Sequence, residues 1–184
     1  MTPTANDDPS LDARYLEIFP SFLRSLGEDA GALGAVVTSD APEEVRRYAT
    51  SALNYIFKSL DLIPDGIDDL GFLDDAFVLR VAASLAIAET PSAKDGALGR
   101  LADDAKNVKE FLGEVYPRLE GYVKNLRKGA ARGRSVEDIL GDETTRDAFV
   151  HEVSAWAKDY QVPSFTRDVK TLIKLKAFLS AKLS

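Results

Sequence analysis

The 184-residue chain contains no cysteine, one histidine (His151), one methionine and one tryptophan. The absence of cysteine excludes disulfides, thiolate zinc sites, iron–sulfur ligation and cysteine nucleophiles together. A single histidine leaves no His-rich metal site, and any Ser–His or His–His mechanism would rest on that residue alone. Long hydrophobic runs are missing too. Val81 to Ala88 is typical of the longest uncharged stretches, far short of the roughly 20 residues that cross a bilayer. Twelve Gly and eight Pro are too few for collagen-like or low-complexity chains. Residues 1–10 show no basic stretch followed by an apolar run, so no secretory signal is expected and the expected compartment is cytoplasmic.

What is present is globular: 45% apolar and 29% charged side chains. Length and composition suit one domain, or one domain with an appended helical piece. The expected division is a helical domain over 1–128 and a C-terminal helical extension over 135–184, packed as a single unit. Charge is uneven, with a net of −10 over residues 1–110 and +3 over 111–184. An acidic chain lacks the concentrated positive face that phosphate backbones need, so nucleic acid is not an expected partner.

The 3.6-residue period recurs throughout and no alternating strand pattern appears. The expected fold is all-α, a bundle of six to eight helices around a central antiparallel hairpin. Leu11, Tyr15, Ile18, Phe19, Phe22, Leu23 and Leu26 share a face behind an expected Ser10 N-cap. Pro20 predicts a kink or two short helices, and Gly27, Gly31 and Gly34 a looser connection. Asp40, Pro42 and Glu43 read as a capped start to a helix Val45–Leu60. A second core helix, Phe72 to Glu89, is apolar on almost every side, with Arg80 its lone internal charge, and belongs in the middle of the bundle.

Leu98, Leu101, Ala105, Val108, Leu112, Val115, Leu119, Tyr122 and Leu126 follow spacings of three and four, a heptad seam over 98–126. It is read as a long helix of an intramolecular bundle, bent near Gly113 and Pro117. The alternative is contact with a protein partner or a second copy. Lys124, Arg127, Lys128, Arg132 and Arg134 read as an exposed basic linker. Ser135 to Leu140 adds a helical turn, and Asp142 caps a helix bearing Phe149, Val153 and Trp156, with His151 on its outer side. A last helix, about Phe165 to Leu183, carries Lys170, Lys174, Lys176 and Lys182 beside an apolar side. It could meet an anionic membrane surface as a peripheral contact, or serve as a bundle helix with lysines near its C-terminus.

The unusual segment is Asn54 to Asp75, NYIFKSLDLIPDGIDDLGFLDD. Six aspartates (61, 65, 68, 69, 74 and 75) fall within fifteen residues without an interposed basic side chain, and their repulsion must be offset. Asp74 and Asp75 sit in the first turn of the buried helix, where the dipole favours them. The other aspartates can cap turns around Pro64. Arg80 needs a buried carboxylate to form an ion pair, and these are the nearest in sequence. A divalent cation, Mg²⁺ or Ca²⁺, held by Asp61, Asp65, Asp74 and Asp75 is the alternative. No other cofactor is expected, and no acid–base pair for catalysis is identifiable.

Asp61-Leu62-Ile63-Pro64-Asp65, Gly71 and Asp74-Asp75, in that order and spacing, resemble the YkvA-like family of small bacterial and archaeal domains, whose function is not established. The resemblance covers about residues 45–88. It departs from the family at Leu60 and Asp68, where the family often has proline. It implies a helix, a D-L-I-P-D turn and a second helix opened by paired aspartates, and it supplies no catalytic residue. Three functions are therefore entertained. The leading one is a non-catalytic cytoplasmic helical interaction or scaffold module with a structural Asp-rich turn. The others are a Mg²⁺-dependent enzyme acting on a phosphorylated substrate and a peripheral membrane protein attached through its last helix.

Overall fold

The computed structural model describes residues 8–58, 61–64, 66–67 and 69–183. Leu60, Asp65 and Asp68 lie outside them, and with Asp65 one expected metal ligand; the second helix ends at Ile56, short of the expected Leu60, where the Phe57 N–H turns back onto the Asn54 carbonyl. The described elements are α1 (Pro9–Val37), α2 (Glu43–Ile56), α3 (Leu73–Glu89), α4 (Ala97–Leu112), α5 (Tyr116–Leu126), β1 (Ala130–Ala131), β2 (Arg134–Ser135), α6 (Val136–Gly141), α7 (Glu143–Asp159) and α8 (Val169–Lys182). The fold is all-α. Among the described residues the only sheet is the two-residue β1–β2 hairpin.

The centre is α3, buried nearly all round as its composition requires. It packs against α1, α2, α4 and α5. The α2–α3 pair is the expected antiparallel hairpin. Tyr55 near the end of α2 meets Asp74 at the start of α3, while at the other end Arg127 bridges Glu44 of α2 and Glu89 of α3 at 3.4 and 3.9 Å.

Four local expectations are corrected. First, α1 runs unbroken through Pro20 and the three glycines, capped by Asp8 rather than Ser10. A proline inside a helix costs about 3 kcal/mol, but Tyr15, Phe19, Phe22, Leu23 and Leu26 are all buried along this face, each contributing about 1.5–3 kcal/mol. Gly27 and Gly34 are contact points rather than breaks, and Gly31 faces open space. A Cβ on Gly27 would stand 3.1 Å from the Ala157 carbonyl of α7, and one on Gly34 would stand 3.8 Å from Val150 and Val153.

Second, no side chain caps α2. The Ser39 hydroxyl instead accepts from the Ala41 N–H at 3.2 Å, and Glu43 and Glu44 place negative charge in the first turn. Third, the 98–126 segment is two helices. Gly113 takes a positive φ of 53°, one 3-10 turn follows, and Pro117 starts α5. Fourth, the basic stretch is not a loose linker. Arg132 and Gly133 turn the hairpin with positive φ, and Arg127, Arg132 and Arg134 lie over the rings of Tyr48, Phe57 and Phe149 at 4.8, 4.5 and 5.4 Å. Cation–π contact and ion pairs with Glu44 and Glu152 hold the hairpin down.

The capping box of Ser135 and Asp138 starts α6, and Asp142 caps α7. The last helix begins at Val169, later than the sequence suggests. Residues 160–167 form neither helix nor strand, and Asp168 caps α8.

Candidate functional site

The acidic corner is built into the core. Asp74 is 1% exposed. Its carboxylate accepts from the Tyr55 hydroxyl at 2.5 Å and from the Ile63 N–H at 3.3 Å. The same Tyr55 oxygen accepts from the Leu62 N–H at 2.7 Å. One tyrosine and one aspartate thus clasp the turn 61–63 between the end of α2 and the start of α3, while Leu62, Ile63 and Leu70 are buried beside them. Burial, then the Asp74 charge and its hydrogen bond, push the Tyr55 hydroxyl far above the ordinary tyrosine range. It therefore stays protonated and keeps donating.

Asp75 is also buried in the first turn of α3; burial, and then the Asp75 charge, raises the Tyr160 hydroxyl above its ordinary range. Asp61 is half-buried at the start of the turn. Asp69, at a positive φ of 69°, points elsewhere: it accepts from the Thr166 N–H and hydroxyl at 2.9 and 2.8 Å, tying the irregular 160–167 strap to the corner. Phe72, Trp156 and Tyr160 pack their rings beside it. Among the described residues no group of three or more His, Asp or Glu side chains could hold a metal ion. Asp61, Asp74 and Asp75 do not form such a group, and Asp65 lies outside the described residues.

Arg80 forms its buried ion pairs with partners other than those expected. Its guanidinium is 1% exposed, 3.1 Å from Asp29 of α1 and 3.3 Å from Asp104 of α4, and 3.7 Å from the centre of the Phe22 ring. It also donates to the Ser25 hydroxyl and the Ala76 carbonyl. The reason is angular. Arg80 lies five and six positions beyond Asp75 and Asp74, which turns it by roughly 140° and 240° around the helix. Asp29, fully buried, takes Arg100 on its other oxygen at 2.7 Å, while the Ser25 hydroxyl donates at 2.8 Å to the oxygen shared with Arg80. Burial pushes Arg80 down, while Asp29 and Asp104 hold it up; the Asp29 hydrogen bond raises Arg100. This network joins α1, α3 and α4.

Sequence reasoning missed Asp29, though a signal existed: it sits three after Leu26 and four before Leu33, inside the apolar stripe. Asp104 and Arg100 gave no comparable sign. Beside them an open cleft of about 790 Å³ is lined by Lys94, Arg100 and Lys106 and by Asp95, Asp103 and Asp104. Its charges balance, so it concentrates neither sign.

The heptad seam is filled internally: Leu98, Leu101, Ala105, Val108, Leu112, Val115, Leu119 and Leu126 are all buried and Tyr122 half-buried. That leaves a second chain no apolar stripe there. On α8 the division is different. Leu172, Leu175 and Leu179 face the core, while Val169 and Ile173 are 43% and 64% exposed. Lys170, Lys174 and Lys182 are exposed and Lys176 half-buried. Among the described residues the exposed large hydrophobic side chains are these two and Val162. His151 is exposed on α7.

No family model, curated protein or solved structure matches the chain. No described helix is long and apolar enough to cross a membrane.

Proposed function

We propose that the chain is a non-catalytic helical interaction module, that its acidic corner is an architectural clasp, and that its contact surface is the outer face of α8. The observation that carries this reading is where unburied apolar surface lies. Val162, Val169 and Ile173 are the exposed large hydrophobics among the described residues, and Val169 and Ile173 stand one turn apart on α8. Exposed apolar side chains one turn apart on a helix and rimmed by charge support an interaction site there. The heptad seam offers no rival surface, because its leucines and valines are buried within the chain. In the corner, Asp74 is engaged by the Tyr55 hydroxyl and the Ile63 N–H, which supports a structural role for it. The YkvA-like character of residues 45–88 and a cytoplasmic location belong to the same proposal.

Site-specific photo-crosslinking in producing cells tests it. A benzoyl-phenylalanine replacing Ile173 is expected to give light-dependent adducts, and the same residue replacing exposed His151 none. Equal yields from both positions, or none from 173, would overturn the proposal.

A further inference from the structure

The outer face of α8 has a chemistry that narrows what can cover it. At about 100° per residue, Val169 and Ile173 lie within roughly 40° of each other around the helix. Lys176 flanks them on one side, with Lys170 and Lys174 on the other. Ala177, Ser180 and Ala181 fill the rest of the arc, and it carries no acid. Between residues 165 and 184 five basic residues meet a single acid, Asp168, whose side chain caps the helix by accepting from the Lys170 N–H.

We infer that this face docks on an anionic lipid surface, Val169 and Ile173 entering the boundary between headgroups and acyl chains while Lys170, Lys174 and Lys176 meet lipid phosphates. The inference rests on the outer face of α8 being the contact surface. The whole chain carries a net charge of −7, so an anionic membrane repels most of the molecule and attracts this side, which fixes the orientation of approach. Residue type separates lipid from protein. Protein interfaces are enriched in Tyr, Trp, Phe, Met and Arg and depleted in Lys, whereas this face is lysine with aliphatic side chains. Lysine stems can lie along the apolar strip and keep their ammonium groups at phosphate level. The fourteen-residue helix is about 21 Å long, enough to lie in the interface plane and too short to span it. Leu172, Leu175 and Leu179 remain in the core, so α8 need not leave the bundle. Two apolar side chains and three lysines make this contact reversible and salt-sensitive.

The test is flotation of the full chain with vesicles of phosphatidylcholine containing about one-third phosphatidylglycerol, and with phosphatidylcholine alone, at about 0.05 M and about 0.5 M salt. The expected result is at least about tenfold more protein on the anionic vesicles at low salt, lost at high salt. Replacing Lys170→Glu together with Lys174→Glu removes that excess without lowering the melting temperature, and Ile173→Ser reduces it. Equal recovery on both vesicle types, or a charge-reversed variant that floats like the wild type, overturns the lipid assignment. If vesicles recover nothing while benzoyl-phenylalanine at 173 still crosslinks to a protein or a second copy, the lipid assignment falls and the contact face stands. Failure in both experiments removes both.

Discussion

Replacing Arg80 by alanine should destabilise the protein severely, and the structure supports a magnitude. Arg80 is almost fully buried, pairs with Asp29 and Asp104 and stacks on Phe22. Removing one partner of a buried pair costs about 3–5 kcal/mol, because the other charge is left in a poor solvent. Asp29 would retain Arg100 and Ser25, which argues for the lower end, about 3 kcal/mol. For an m-value near 2 kcal/mol/M in urea, the midpoint should fall by about 1.5 M. A double-mutant cycle with Asp29→Ala isolates the pair. The doubly substituted protein should be less destabilised than the two single losses added together, by about 1–3 kcal/mol. An unchanged midpoint would show Arg80 to be solvated. Strict additivity would show that Asp29 and Arg80 do not act together, and either result refutes the network as the tie between α1, α3 and α4.

Other outcomes follow from the same contacts. Tyr55→Phe removes the oxygen that accepts from Leu62 and donates to Asp74, and should cost about 2–3 kcal/mol by chemical denaturation; no loss would mean the clasp is not part of the fold's stability. Gly99→Ala places a Cβ 1.9 Å from the Lys94 carbonyl and should cost about 1–3 kcal/mol as the backbone shifts. Gly31→Ala, with open space around it inside α1, should gain about 0.5–1 kcal/mol. The reverse order of these two melting temperatures would contradict the helix packing described. Burial pushes Tyr48 and Tyr116 each up to about 12, and Tyr55 further. Unfolded tyrosine ionises near pH 10, so above that pH the unfolded chain releases protons that the folded chain keeps. Stability should therefore hold up to about pH 10 and fall as pH rises beyond it. Tyrosinate absorbance and helical circular dichroism followed together should change in step. Full ionisation of the tyrosines near pH 10 with helicity intact would refute the burial argument.

The helical class was legible in the sequence because the apolar period is strong in almost every segment. The all-round apolarity of Ala76–Ala88 placed α3 at the centre, and its lone arginine announced a buried ion pair. The partners were not legible. Sequence proximity favoured the acidic corner, whereas the turn of the helix directs Arg80 toward Asp29 and Asp104, fifty-one and twenty-four residues away. Pro20 carried a local signal for a break that burial of the Tyr15–Leu26 face overrode, and Gly27 and Gly34 one that packing on α7 overrode. The seam over 98–126 kept its apolar spacing across Gly113, so periodicity alone could not show that two helices share it. In the corner the density of aspartates was conspicuous, but the hydroxyl of Tyr55 that Asp74 binds lies nineteen residues earlier, at a position that reads as ordinary core.

The division of labour between the clasped corner and α8 is tested most directly by melting three proteins side by side, with and without millimolar Mg²⁺ or Ca²⁺: wild type, Asp74→Asn and Ile173→Glu. An asparagine must serve Tyr55 and Ile63 while burying new donors, at a cost of about 2 kcal/mol, or roughly 4–8 °C for a chain of this size. That fall is expected for Asp74→Asn, with a curve like wild type for Ile173→Glu and no response to metal in any of the three. A wild-type melting temperature that rises with metal, with the rise abolished in Asp74→Asn, would contradict the clasp and make the corner a cation site.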